Sequence, residues 1–214
     1  MAVLGGTGQQ GRGLAQRLAR AGASIVIGSR DPERAAASLG AWPSAARPAR
    51  TATYRDAIAA AELVVLTVPF DAASGIVADG RTHFRSGALL IDVTVPMIFA
   101  GGTAKLADVP AGSATEHLRA QLPEHVRVAA AFKTLPAALL SEVERPLDCD
   151  EFVCGDSPEA RERAVALVEM LQGVRAIDVG PLSRARAIEH ATLLAIAVNR
   201  RHKIHDARFK VVGL

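Results

Sequence analysis

Residues 1–22 read MAVLGGTGQQGRGLAQRLARAG, a short apolar run, a glycine cluster and a helix-like stretch in direct succession. Glycine costs conformational entropy, so a cluster at an element boundary marks backbone that takes φ > 0 or lets something approach closely. Gly6, Gly8 and Gly11 have the G-x-G-x-x-G spacing, with the apolar Ala2-Val3-Leu4 before them and the helical pattern Leu14, Leu18, Ala21 after them. Strand, loop and helix in that order predict a dinucleotide site. Gly6 is expected to make the tight turn, Gly8 to admit a pyrophosphate, and Gly11 to let the helix pack on the strand. The helix N-terminus would offer its free N–H groups and positive dipole end to the anion.

Working outward, 24–28 (SIVIG) reads as the second strand, and Asp31-Pro32-Glu33 opens a helix with Asp31 as cap and Pro32 in the first turn. An NAD-selective site places a carboxylate at the end of this strand to hold the ribose 2′-hydroxyl. Here the chain has Gly28-Ser29-Arg30, with Arg34 one turn further on. A hydroxyl and two guanidiniums suit a 2′-phosphate through charge-assisted hydrogen bonds, which points to NADP(H). The plainer alternative is that both arginines are solvated, with Arg34 paired to Asp31 or Glu33.

Alternating units continue. The stretch 40–51 (GAWPSAARPART) reads as a surface connection with a short third strand, and 54–61 as a short helix. The apolar runs 63–68, ending Thr67-Val68-Pro69-Phe70, and 88–93 suit parallel strands buried on both faces by crossover helices. A sixth strand over 126–132 enters Lys133-Thr134-Leu135-Pro136. Strands at 151–154 and 174–179 and helices at 158–171 and 182–198 follow, and the basic tail HKIHDARFKVVGL is expected to fold back onto the body. The predicted architecture is α/β: a doubly wound parallel sheet over 1–138 and a smaller α/β cap over 139–214, with ligands outside the carboxyl ends of the strands. Helix 182–198 is apolar nearly all round, so it should be buried, in part by a second copy; a homodimer is expected.

Half of the 214 residues are hydrophobic and 22% are charged, a globular composition. No apolar run is long enough to span a bilayer and no charged leader precedes one, so a cytoplasmic protein without a membrane partner is expected. The net charge of +3 is carried by scattered basic residues, which argues against nucleic acid. Cys149 and Cys154 form neither a C-x-x-C pair nor a zinc set, and Cys154 reads as core. His202 and His205 lack a third ligand of matching spacing, so no metal is expected; His190, beside Glu189, reads as an interface or core histidine outside the site.

The ordered set GGTGQQGRGLAQRLA, IVIGSRDPERA, VVLTVPF, AAFKTLPAALL, FVCGD and VGPLSRARAIEH, which spans nearly the whole chain, resembles the F420-dependent NADP oxidoreductases. The resemblance implies a Rossmann-type domain that passes a hydride between NADP(H) and the deazaflavin coenzyme F420. It implies that Thr7, Gly8, Gln9 and Gln10 line the pyrophosphate, Ser29, Arg30 and Arg34 the 2′-phosphate, and Thr67, Val68, Pro69 and Phe70 the nicotinamide ribose. The deazaflavin would sit by 131–136 (Ala131, Lys133, Thr134, Leu135 and Pro136) and by the extreme C-terminus. Lys133 stands where some members have histidine; it is the candidate for tuning charge on the second substrate, and its bland role is an exposed residue at a strand end. The departure leaves open a reductase of another small acceptor (an imine, a carbonyl or a metal chelate); a non-catalytic NADPH sensor also stays open, because fold does not fix function. Hydride transfer between two cofactors needs orientation and dryness more than a nucleophile or a carboxylate pair, which matches the absence of either motif.

Overall fold

The computed structural model describes residues 1–40, 42 and 50–214. Most of the 40–51 connection thus lies outside the described residues. The order is β1 (Ala2–Leu4), α1 (Gln9–Arg20), β2 (Val26–Ser29), α2 (Pro32–Leu39), β3 (Arg50–Thr53), α3 (Tyr54–Ala59), β4 (Leu63–Leu66), α4 (Phe70–Gly80), β5 (Leu89–Asp92) and a hairpin of β6 (Met97–Ala100) and β7 (Thr103–Leu106). Then come α5 (Ala114–Arg119), β8 (Arg127–Ala130), α6 (Ala137–Ser141), β9 (Cys149–Gly155), α7 (Pro158–Glu169), β10 (Val174–Pro181) and α8 (Ala185–His202).

Eight strands form one sheet in the order β10-β9-β8-β5-β4-β1-β2-β3. Alternation along the strands divides the core between its faces. Val3, Val65, Leu89 and Ile91 pack with Leu14 and Leu18 of α1, whereas Leu4, Val64, Leu66 and Leu90 pack with Ile58 of α3, Val77 of α4 and Leu118 of α5. Burial on both faces is what the unbroken apolar runs require.

From β3 to β8 all pairs are parallel, but β9 runs antiparallel to β8, with Ala129 opposite Gly155 and Ala130 opposite Cys154. This departs from an all-parallel sheet. The 18-residue connection 131–148 holds only the five-residue α6 in place of the longer crossover helix usual between parallel strands. The segment 139–214 adds β9 and β10 to the main sheet, and α8 lies over the β6–β7 hairpin and α5.

The bounds expected of α8 need correction. The helix starts at Ala185, after a single 3-10 turn over Leu182–Arg184, and runs on to His202. It is not buried all round in the single chain: Ala185, Ile188, Glu189 and Ala195 are buried, while Leu194 is 55% exposed, because only one side has an element to pack against. His190 is exposed rather than core, with Nδ1 at 2.8 Å from the Arg186 carbonyl. Cys154 is buried as expected. The tail folds back: Phe209 bridges Asp150, and Arg175 holds the carbonyls of Val211 and Leu214.

Candidate active site

At the glycine loop the positive φ falls on Gly5 (+84°) rather than on Gly6. Gly5 N–H donates to the Gly28 carbonyl and its own carbonyl accepts from Gly8 N–H, which closes the turn. Gly6 is buried, and a Cβ there would lie 2.5 Å from Ile27 Cδ1, so it serves close packing on β2. Gly11 meets the end of β4: a Cβ would come within 2.6 Å of the Gly5 carbonyl oxygen and would strike Thr67 Oγ1. Gly8 caps α1 without a side-chain bond, and no acidic residue stands in the first turn. The first amides of a twelve-residue helix are left to an anion.

A cleft of about 370 Å³ opens beside this turn, lined by Thr7, Ser29, Arg30, Asp31, Arg34, Ala35 and Ser38. Asp31 caps α2 by accepting from the backbone N–H of Arg34 at 2.9 Å, and Ser29 Oγ accepts from Asp31 N–H. Neither Arg30 nor Arg34 makes an ion pair among the described residues, so the pairing of the Arg34 guanidinium with Asp31 or Glu33 is not formed. Two free guanidiniums and a hydroxyl thus face one small concavity. Ala35 and Ser38 line it too, and the i, i+1, i+4 spacing of Arg34, Ala35 and Ser38 on α2 is the signal that would have found them.

A wider cleft of about 750 Å³ runs over the carboxyl ends of β1, β4, β5 and β8. Gly8, Gln9 and Gln10 form one wall, Thr67, Val68, Pro69 and Phe70 the next, Val93, Thr94, Val95 and Met97 the floor, and Lys133, Thr134, Leu135 and Pro136 the far wall. Thr192, Ala195, Ile196 and Asn199 of α8, with His205 and Ala207, close it from above. The sequence reading missed the floor and the α8 lining. The apolar run 88–93 pointed to a strand end at this place, but the 192–199 stretch of α8 carries no motif. Thr67 donates its hydroxyl to the Leu4 carbonyl at 2.8 Å, and Phe70 packs edge-on against His117 with centroids 5.9 Å apart. Ala131 is fully buried below the far wall.

That far wall is held by a buried polar network. Lys133 is not an exposed strand-end residue: its ammonium is 2.7 Å from Asp92 Oδ2, bonds the Thr94 carbonyl, and is 3.8 Å from Glu189 Oε1, with its side chain fully buried. The residue's slight exposure comes from its main chain. Asp92 also accepts from Thr94 N–H and from the Thr115 hydroxyl. Glu151 accepts from Lys133 N–H at 2.9 Å and from the Thr134 hydroxyl at 2.5 Å, and its complete burial pushes the carboxyl up to about 7. Burial raises the Glu189 carboxyl as well. Between these anchors Phe132 takes φ +60°, a left-handed conformation a bulky residue adopts only when its surroundings enforce it. Gln10 completes the enforcement by donating its side-chain amide to the carbonyls of Phe132 (3.1 Å) and Leu135 (3.3 Å).

Among the described residues no group of three or more histidine, cysteine or carboxylate side chains is placed to hold a metal.

Residues 1–96 match the model of the family described as NADP oxidoreductase, coenzyme F420-dependent. The chain is 42% identical over 221 residues to the F420-dependent NADP reductase of Methanothermobacter thermautotrophicus, covering 100% of this chain and 95% of the relative. It is 32% identical over 229 residues to the enzyme of the same name from Methanocaldococcus jannaschii, covering 100% and 98%. A crystal structure from Arthrobacter sp. FB24 that bears the name of an F420-dependent NADP reductase superposes with a TM-score of 0.83 over 99% of this chain and 98% of that one, at 27% identity. With a glycine loop, a cleft lined by Arg30 and Arg34 and a second wall built on the same sheet, and with this likeness along its whole length, the chain belongs to the F420-dependent NADP oxidoreductase family.

Proposed function

We propose that the protein transfers a hydride between NADP(H) and the deazaflavin coenzyme F420: NADPH, F420 and a proton on one side, NADP⁺ and reduced F420 on the other. One observation carries the reading. Gly8, Gln9, Gln10 and Thr67 to Phe70, which follow β1 and β4, and Lys133 to Pro136, which follow β8, line one and the same cleft over the carboxyl ends of the strands. The two cofactors supply the redox chemistry when bound; the chain supplies orientation and a dry surface. Ser29, Arg30 and Arg34 take the 2′-phosphate, Thr7 and the first turn of α1 the pyrophosphate, and Thr67 to Phe70 the ribose of the nicotinamide. The 131–136 segment presents its backbone to the deazaflavin, with Lys133 anchored through Asp92 as a positioning residue.

Segment 139–214 completes this pocket through α8 and the turn after it. The exposed side of α8 and the hairpin tip, with Leu194 55%, Ile98 52% and Phe99 69% exposed, favours a homodimer, to be checked by light scattering at micromolar concentration. No helix among the described residues is long and apolar enough to cross a membrane, and the proposed reaction is cytoplasmic, between soluble cofactors.

The test is the purified protein with NADPH and oxidised F420, read by loss of deazaflavin absorbance, with NADH as control. Turnover with NADPH and little with NADH is expected. Tight NADPH binding without F420 reduction would overturn the hydride partner.

A further inference from the structure

Thr94 follows β5 on the floor of the wide cleft and is 4% exposed. Its main chain is fully engaged, the N–H donating to Asp92 Oδ1 at 2.9 Å and the carbonyl accepting from the buried Lys133 ammonium. The hydroxyl is different: Oγ1 is buried and has no hydrogen-bond partner among the described residues. Leaving a buried hydroxyl unsatisfied is destabilising, a cost that a valine of the same shape would avoid.

The other threonines lining this cleft do not share the feature. Thr67 donates to the Leu4 carbonyl, Thr134 to Glu151 and Thr192 to the Lys133 carbonyl. Thr94 is thus the cleft threonine whose hydroxyl proton remains uncommitted, on backbone pinned by Asp92 and Lys133.

Its place in the strand order indicates what it meets. On the reading proposed above, the dinucleotide starts at Arg30 and Arg34 beyond β2, crosses the glycine loop beyond β1 and passes Thr67 to Phe70 beyond β4. The next strand is β5. The part of NADP(H) that lies past the ribose is the nicotinamide ring with its carboxamide, which offers an NH₂ donor and a carbonyl acceptor; a hydroxyl pairs with either.

We propose that the Thr94 hydroxyl is a binding contact for the nicotinamide carboxamide and fixes the rotation of the ring opposite the hydride partner.

The test compares Thr94→Val and Thr94→Ser with the wild-type chain in titrations with NADPH and with 2′-phospho-ADP-ribose, which lacks the nicotinamide. Thr94→Val is expected to bind NADPH roughly 10-fold more weakly and 2′-phospho-ADP-ribose unchanged, while Thr94→Ser keeps NADPH affinity within about 3-fold. The melting temperature of the ligand-free Val variant should stay level or rise, since an unsatisfied hydroxyl is removed. Equal weakening toward both ligands, unchanged NADPH affinity, or a rise confined to the KM for F420 would each overturn the assignment, the last giving the contact to the deazaflavin. A wild-type chain that distinguishes NADPH from 2′-phospho-ADP-ribose yet never reduces F420 would sink the hydride partner while leaving the Thr94 comparison decisive.

Discussion

Lys133 Nζ lies 2.7 Å from Asp92 Oδ2, with both side chains shielded from solvent, so the far wall of the cleft is fastened to the end of β5 by a buried ion pair. Truncating one partner of such a pair strands the other charge. Lys133→Met leaves Asp92 without its cation and Glu189 with Arg186 alone, and should lower stability by about 3–5 kcal/mol, measured by urea denaturation. A loss of under about 1 kcal/mol would mean the pair is not formed as described.

Gln10 connects the two walls, since it stands on α1 and bonds the carbonyls of Phe132 and Leu135. Gln10→Ala should cost about 1–2 kcal/mol of stability. Because it loosens the second wall against the first, turnover with F420 should fall about 10-fold while NADPH affinity changes little. Steady-state kinetics beside an NADPH titration separates the two, and an equal fall in both would count against the bridging role.

Arg30 and Arg34 line the small cleft without an ion pair of their own among the described residues. Replacing either by alanine should weaken NADPH roughly 10- to 100-fold, the worth of a charge-assisted hydrogen bond, and leave NADH binding unchanged. A parallel loss for NADH would place the arginines elsewhere on the dinucleotide.

Glu151 is pushed by burial from the ordinary 4.5 to about 7, so between these values the native state holds a proton that the unfolded chain has released. Stability therefore falls as pH rises through this window, by on the order of 3 kcal/mol from this group alone. In Glu151→Gln that slope should flatten. Urea midpoints at pH 5, 6, 7 and 8 measure it, and equal slopes in the two proteins would remove Glu151 as the cause.

Gly13 lets α1 approach α6: a Cβ would lie 2.7 Å from Leu140 Cβ and 2.9 Å from its carbonyl oxygen. Gly13→Ala should cost about 1–3 kcal/mol through overpacking. Gly75 in α4 has open space, so Gly75→Ala should stabilise by about 0.5–1 kcal/mol. Thermal melts of the pair check the contrast.

Much of the fold could be read along the chain, because strand burial and helix caps are local. Asp31 and Pro32 open α2 where they should, and the runs at 63–68 and 88–93 contain β4 and β5. The β6–β7 hairpin was also legible and was missed: Gly101 and Gly102, both at positive φ, are the two-residue turn between its strands. The antiparallel β9 was not legible, since an apolar run shows a strand but not the direction in which it pairs with β8.

What could be read along the chain is local: the glycine cluster makes the turn between β1 and α1, with Gly5 at positive φ, and Ser29, Arg30 and Arg34 follow at the end of β2 and in α2. Tertiary structure alone decided the rest. It buried the Lys133 ammonium against Asp92, brought Gln10 to Phe132 across 122 residues of chain, and left the Thr94 hydroxyl unpaired on the cleft floor. The reason is physical: a side chain's charge and hydrogen-bonding capacity are written in the sequence, but whether a partner or water takes them up depends on which distant strand ends the sheet sets side by side.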